Sequence, residues 1–365
     1  MIKKKYLMMW TIVVPILAWI FYFANAVFSS GYYSVILAVL LLGSVLTAVY
    51  HSEVIAQRLG EPFGTLLLAF AITVIEVGLI ISIMMGAKGL ETVTLARDTV
   101  FAAVMIILTG IIGSCIVTGS IRYREQTFTL QGVSTALITL TAVVAFVLIL
   151  PNYTISHSGG EYTSFQLIFI ALISLALYLG FTMVQTIRHR SFFISPQNKL
   201  LAGQKDQKDI DEPSWKQVYI SCFMLILCLG IVVLMAKLLS KDVEHIVISL
   251  GAPKSIVGVI IAGIVLLPEG LAALRAAKND QIQTSLNLAF GSALASIGLS
   301  IPAIAIISVI SGIRMTLGID IKSTLLLGLS LFIITVSLAT GKTNIMQGVV
   351  LVGIFLIYLF ITVFP

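Results

Sequence analysis

Runs of about 20 apolar residues, broken only by short polar or turn-forming segments, recur along almost the whole 365-residue chain. Lipid offers no hydrogen-bond partner to open backbone, so stretches of this length must close their own ladders as helices. The strict alternation of a membrane strand is absent. The chain therefore reads as an all-α polytopic membrane protein. Only 10% of its residues are charged, against about a quarter in soluble domains, which excludes a soluble enzyme.

Apolar windows and their breaks predict helices over 6–28, 33–50, 64–86, 98–121, 132–150, 164–187, 217–238, 254–275, 282–310, 323–341 and 344–364. The first run follows Lys3, Lys4 and Lys5, is too long for a signal-peptide core and lacks a small-residue cleavage site, so it is expected to be retained. Eleven crossings place the termini on opposite sides. With the amino terminus in the cytoplasm, the inner segments hold Lys3, Lys4, Lys5, Arg58, Arg122, Arg124, Arg188, Arg190, Lys199, Lys205, Lys208, Lys216, Arg275, Lys278 and Lys342, which is 15 of the 22 Lys+Arg. The positive-inside rule favours that orientation, in a cytoplasmic (inner) membrane. The segment from Pro151 to Glu161, free of Lys and Arg, is then an outer loop.

A net charge of +6 is accounted for by orientation and implies no nucleic acid. Cys115, Cys222 and Cys228 lie in apolar runs without metal-type spacing and read as packing residues. His51, His157, His189 and His245 are placed in or near loops, where none pairs with a buried Ser or Asp as a nucleophile would need. No enzyme and no cofactor are expected.

A polar segment over 188–216, with Asp206, Asp209, Asp211 and Glu212 among basic residues, separates the five helices after the first from the final five. It reads as a cytoplasmic linker or as an acidic segment that gathers cations. The organisation is thus a helix over 1–30, a five-helix half over 31–187, the linker over 188–216 and a second half over 217–365.

Of the 16 acidic residues, only Glu76 and Glu269 fall in mid-helix. A charge at that depth costs at least about 2.5 to 3.5 kcal/mol and usually lines a polar path; a neutral acid hydrogen-bonded between helices is the other reading. Glu76 lies in the third helix and Glu269 in the eighth, so the odd offset turns one against the other, the geometry of an inverted repeat. Each precedes a helix with related small residues: Thr109, Gly113, Ser114 and Thr118, then Asn287, Gly291, Ser292 and Ser296.

Small residues at that spacing also permit close helix packing. The chemical reading is that Thr73, Asn287 and Ser292 present oxygens beside the glutamates, as suits a hard cation. Pro268 removes the helical partner of the Ile264 carbonyl, which then has to be satisfied elsewhere or face a cavity; carbonyl coordination and a packing kink are both open. Burial raises a carboxyl pKa and a bound cation lowers it, so protons and cation compete for the same pair, and one Ca2+ balances two H+.

The segment from His51-Ser52-Glu53 to Arg58-Leu59-Gly60-Glu61-Pro62-Phe63-Gly64, the Glu76 helix, Leu266-Leu267-Pro268-Glu269-Gly270, Asn287-Leu288-Ala289-Phe290-Gly291-Ser292 and Gly341-Lys342-Thr343-Asn344 resemble the calcium/cation antiporter superfamily, most closely its bacterial ChaA-type calcium/proton antiporter branch. The resemblance implies a helix outside the repeat, two inverted five-helix halves, and cation binding by Glu76 and Glu269. It implies Ca2+, or Na+ or K+, exchanged for H+ by alternating access, with no partner beyond inorganic ions and the bilayer; oligomeric state stays open. Glu53 and Glu61 are candidates to guide ions in. The chain departs from the wider pattern Gly-Asn-Ala-x-Glu: the two asparagine positions hold Thr73 and Leu266, and Ala295 replaces a Gln usual after the second Gly-Ser.

Overall fold

The computed structural model describes residues 2–24, 31–60, 63–86, 94–155, 159–194, 213–249, 253, 255–311 and 315–364. The core of the 188–216 linker, with its acidic cluster, lies outside these residues, as do Glu61 and His157.

Eleven helices are formed among the described residues: α1 (Ile2–Ala24), α2 (Gly31–Leu59), α3 (Phe63–Gly86), α4 (Leu95–Tyr123), α5 (Leu130–Tyr153), α6 (Ser164–Arg188), α7 (Trp215–Ser249), α8 (Ser255–Lys278), α9 (Ile282–Ser311), α10 (Ile321–Leu338) and α11 (Ile345–Val363). Nine of them are long and apolar enough to cross a membrane, and the described apolar parts of α1 and α3, Met9–Ala24 and Leu66–Ile81, are shorter. The fold is an N-terminal helix followed by two inverted five-helix repeats, α2–α6 and α7–α11, as the offset of the two glutamates and the resemblance implied. Two helices outrun their predicted ends by more than two turns. Helix α2 continues past Tyr50 through the polar His51-Ser52-Glu53, and α7 continues to Ser249.

The chain packs as two compact units that do not follow its halves: residues 1–92 with 209–257, and 93–208 with 258–365. The first unit holds α1, α2, α3 and α7. Its helices approach closely where a side chain is missing: a Cβ on Gly43 would lie 2.7 Å from Val14 Cγ1, and one on Gly78 would lie 2.5 Å from Val233 Cγ2. Polar ties reinforce these contacts, with the Trp19 indole N–H donating to the Leu227 carbonyl at 3.2 Å and the Tyr33 hydroxyl to the Phe21 carbonyl.

The second unit is built around α4, whose apolar window is 83% buried against 22% for α10 and for α11. Helices α6, α5 and α11 pack on α9 or α4. Gly348 of α11 meets the Val117 backbone so tightly that a Cβ would lie 2.7 Å from its nitrogen. Cys115 and Cys228 are buried and Cys222 is exposed; all three are free thiols.

The inverted repeat is visible in how the second unit ties its loops. At one end Gln126–Thr127, after α4, pairs antiparallel with Lys342–Thr343, before α11. At the other end Thr316, after α9, bridges to Glu161, before α6. The equivalence extends to single bonds. The Phe128 N–H donates to the Gly341 carbonyl at 3.0 Å, and the Gly318 N–H donates to the Gly160 carbonyl at 2.9 Å. Both acceptors are glycines at positive φ, 69° and 75°, a conformation that carries no steric cost only without a Cβ. The following helices start alike: α6 carries a capping box from Thr163 and Gln166, and α11 one from Asn344 and Gln347. Near the Gly160 end the Tyr162 hydroxyl donates to the Phe146 carbonyl at 2.5 Å, and burial pushes this phenol up to about 12, so the tie keeps its proton.

Candidate functional site

Glu76 belongs to the first unit and Glu269 to the second. Glu76 lies midway along α3 and is 2% exposed; Thr73, one turn earlier on the same face, is 6% exposed. The Thr73 hydroxyl donates to the Ala69 carbonyl at 2.9 Å, which uses its proton and leaves oxygen lone pairs. The surrounding Ala71, Ile75, Leu79 and Ile80 are buried. Glu53 stands on the exposed side of the extended end of α2 rather than on α3.

In the second unit both carboxylate oxygens of Glu269 are sealed from solvent. Pro268 sits inside α8 immediately before it, and Ile264, whose carbonyl loses its helical N–H to that proline, is half-buried. Gly270 packs on α4, where a Cβ would lie 3.2 Å from Ile111 Cδ1. Ile111 closes a π-helical segment, Ile106–Ile111, that widens α4 at this level. Such single-turn π segments within α-helices cluster at functional positions. Thr109 lies in that segment, fully buried, its hydroxyl bonded to the Met105 carbonyl at 2.5 Å.

Ser292 is half-buried on α9. The Asn287 carboxamide is engaged nearer the start of that helix: its Nδ2 donates to the Phe193 carbonyl at 2.6 Å and its Oδ1 accepts from Gln283 Nε2 at 2.9 Å. Its oxygen keeps one lone pair for a further partner.

Three features escape a reading by hydropathy. His51, placed near a loop by the sequence, is instead inside α2 and 3% exposed. Its Nε2 faces the Thr11 carbonyl at 3.3 Å, which assigns the proton there, and its Nδ1 accepts from the Ser221 hydroxyl at 3.1 Å. Arg97 and Asp98, at the start of α4, form an ion pair at 2.9 Å with side chains only 21% and 18% exposed. The π segment of α4 has no compositional mark. The Arg-Asp adjacency was the one available signal, and at a helix end it reads as solvated.

Eleven helices in two inverted halves, each with a buried mid-helix glutamate, define a secondary-transporter architecture. The pattern of the sodium/calcium exchanger protein family matches residues 17–187 and 220–364, and the chain belongs to that family. The protein y4hA of Sinorhizobium fredii is 42% identical over 89% of this chain and 87% of its own length. The sodium-potassium/proton antiporter ChaA of Escherichia coli is 31% identical over 87% of this chain and 85% of its own. Among solved structures the H+/Ca2+ exchanger CAX shares the fold with a TM-score of 0.72 at 16% identity, over 98% of this chain and 88% of that one.

Proposed function

We propose that the chain is a cation/proton antiporter of the inner membrane, with its amino terminus in the cytoplasm, that expels Ca2+ against H+ entering. Glu76 and Glu269 carry the cation or protons in turn, and Thr73, Asn287, Ser292 and the Ile264 carbonyl supply neutral oxygens. The observation that carries this reading is the burial of one glutamate in the second helix of each repeat, in a family whose named members include exchangers. Two carboxylates match one divalent cation or two protons in charge, so loading one expels the other.

Replacing either glutamate by Gln keeps the shape and removes the exchangeable charge. Exchange in inside-out vesicles is expected to be abolished in Glu76→Gln and in Glu269→Gln while the folded protein remains in the membrane. Normal transport in both variants would reject the site, and ion flux indifferent to ΔpH would mark a passive channel instead.

A second reading, Na+ or K+ against H+, is favoured by the name of the E. coli relative and by Thr73 and Leu266 at positions where the wider exchanger pattern has asparagine. Two missing amide oxygens change the neutral ligand set beside the carboxylates, and with it the choice of ion. The same vesicles loaded in turn with Ca2+, Na+ and K+ separate the two.

A further inference from the structure

Helices α4 and α8 run in the same direction and touch at two glycines separated by about 18 Å of helix axis. A Cβ on Gly258 would lie 2.9 Å from the Asp98 carbonyl carbon and 3.0 Å from Thr99 N; Gly270 meets Ile111, as described. With backbone against backbone at one end, α8 cannot shift along α4 without the start of α4 moving too. Glu269 lies between these contacts, one residue before the second.

The start of α4 is held by a forked clamp. Arg97 Nε donates to Asp98 Oδ1 at 2.9 Å and Arg97 Nη1 donates to the Gly318 carbonyl at 2.9 Å. The Thr94 hydroxyl holds the other carboxylate oxygen at 3.1 Å. Gly318 belongs to the loop before α10, so a residue of the first repeat grips a loop of the second. The repeat-related grip exists at the other end of the unit. Gln283, near the start of α9, accepts from the Thr129 N–H at 2.6 Å, in the loop before α5. That counterpart is neutral, and Gln283 is tied in turn to Asn287; the Arg97 clamp is ionic.

An exposed ion pair would contribute little, but this one is largely buried. Buried pairs are poor stabilisers for their desolvation cost, so stability gives little reason for this one, and its bonds to Gly318 and Thr94 point to a role in geometry. The planar guanidinium donates to a carboxylate and a carbonyl in fixed directions, which the rotating ammonium of a flexible lysine does not fix.

We infer that Arg97 and Asp98 are positioning residues for Glu269: they fix the start of α4, α4 fixes α8 through Gly258 and Gly270, and α8 sets where the carboxylate meets its cation. The inference rests on the reading of Glu269 as a cation ligand.

The test is protection of Glu269 from a hydrophobic carbodiimide, which labels protonated buried carboxyls, in the full-length protein purified in detergent and read by mass spectrometry against Ca2+ concentration. Arg97→Gln and Asp98→Asn are expected to raise the half-protecting Ca2+ concentration about tenfold, the usual scale for remote coupling. Arg97→Lys, which keeps the charge and loses the fork, falls between them and the unaltered protein. Half-protection unchanged in all three variants, whatever their thermal stability, overturns the inference. Should Arg97→Gln not accumulate in folded form, Arg97→Lys decides alone: a shift of about threefold upholds the clamp and no shift overturns it. If neither Ca2+, Na+ nor K+ protects Glu269 in the unaltered protein, the cation-site reading itself falls and this inference with it; protection by cation without any effect of the variants removes only the clamp.

Discussion

His51 of α2 and Ser221 of α7 meet 3.1 Å apart in the interior of the first unit. The imidazole continues to the Thr11 carbonyl of α1, so one side chain joins three helices. Replacing His51 by Leu fills the space but strands the Thr11 carbonyl and the Ser221 hydroxyl. Each buried polar group left unmatched costs about 1–3 kcal/mol. The midpoint of thermal denaturation in detergent should fall in His51→Leu, and less in Ser221→Ala, which strands only one ring nitrogen. Adding Ser221→Ala to His51→Leu should cost little more, and strict additivity of the two would show that the contact contributes nothing.

What hydropathy makes legible here, and what it hides, follow from the same physics. The helices over 132–150, 164–187, 282–310 and 344–364 are found within a few residues, because their apolar runs end where backbone can reach polar surroundings. The end of α2 is not found, since His51 and Ser52 look like a boundary until partners on other segments are known: Ser221, the Thr11 carbonyl and, for Ser52, the Val49 carbonyl at 2.7 Å. Arg97 and Asp98 are hidden likewise, because their burial depends on Gly258 and Gly318, far along the chain. Glu76 and Glu269 stand out from the sequence because a single acid within about twenty apolar residues is costly however it is satisfied. Asn287 and Ser292 are harder to assign, since small polar residues serve packing, helix capping and ion binding alike. The π segment of α4 is a backbone register with no residue signature.

The capping boxes at Thr163 and Asn344 are repeat-related and make the same bonds, with Thr163 Oγ1 accepting from the Gln166 N–H at 3.2 Å and Asn344 Oδ1 from the Gln347 N–H at 3.1 Å. Thr163→Ala and Asn344→Ala should each cost about 0.5–2 kcal/mol of stability, to a similar extent, without altering exchange per folded molecule. Thermal denaturation and vesicle transport on the same preparations check both halves of that expectation.

Two glycines of α11 should respond oppositely to alanine. A Cβ on Gly348 would lie 2.7 Å from Val117 N and 2.9 Å from the Gly113 carbonyl oxygen, backbone that cannot yield, whereas nothing stands within 4 Å of one on Gly353. Gly348→Ala should force α11 away from α4 and cost about 1–3 kcal/mol. Gly353→Ala should be neutral or stabilising by up to about 1 kcal/mol, since alanine is the better helix former. Equal stability of the two variants in detergent would contradict the close packing of α11 on α4.

Thr73 separates a coordinating role from a packing one. Its hydroxyl proton is committed to the Ala69 carbonyl, so only its oxygen lone pairs can serve a cation beside Glu76, and Val matches its shape while deleting that oxygen. If the oxygen is a ligand, Thr73→Val should raise the half-saturating cation concentration by about tenfold, the lower range for loss of a group supporting a metal site, with Thr73→Ser close to the unaltered protein. If the hydroxyl only satisfies its own helix, Thr73→Val removes a bond between a residue and the turn before it, and both transport and affinity stay unchanged. The Asn variant is informative about ion choice: Thr73→Asn restores the amide of the wider exchanger pattern one turn before Glu76, adding a stronger neutral oxygen. On the Ca2+ reading it should lower the half-saturating Ca2+ concentration without a matching gain for Na+ or K+, measured by competition in the same vesicles. A gain for the monovalent ions alone would move the assignment to Na+ or K+ exchange.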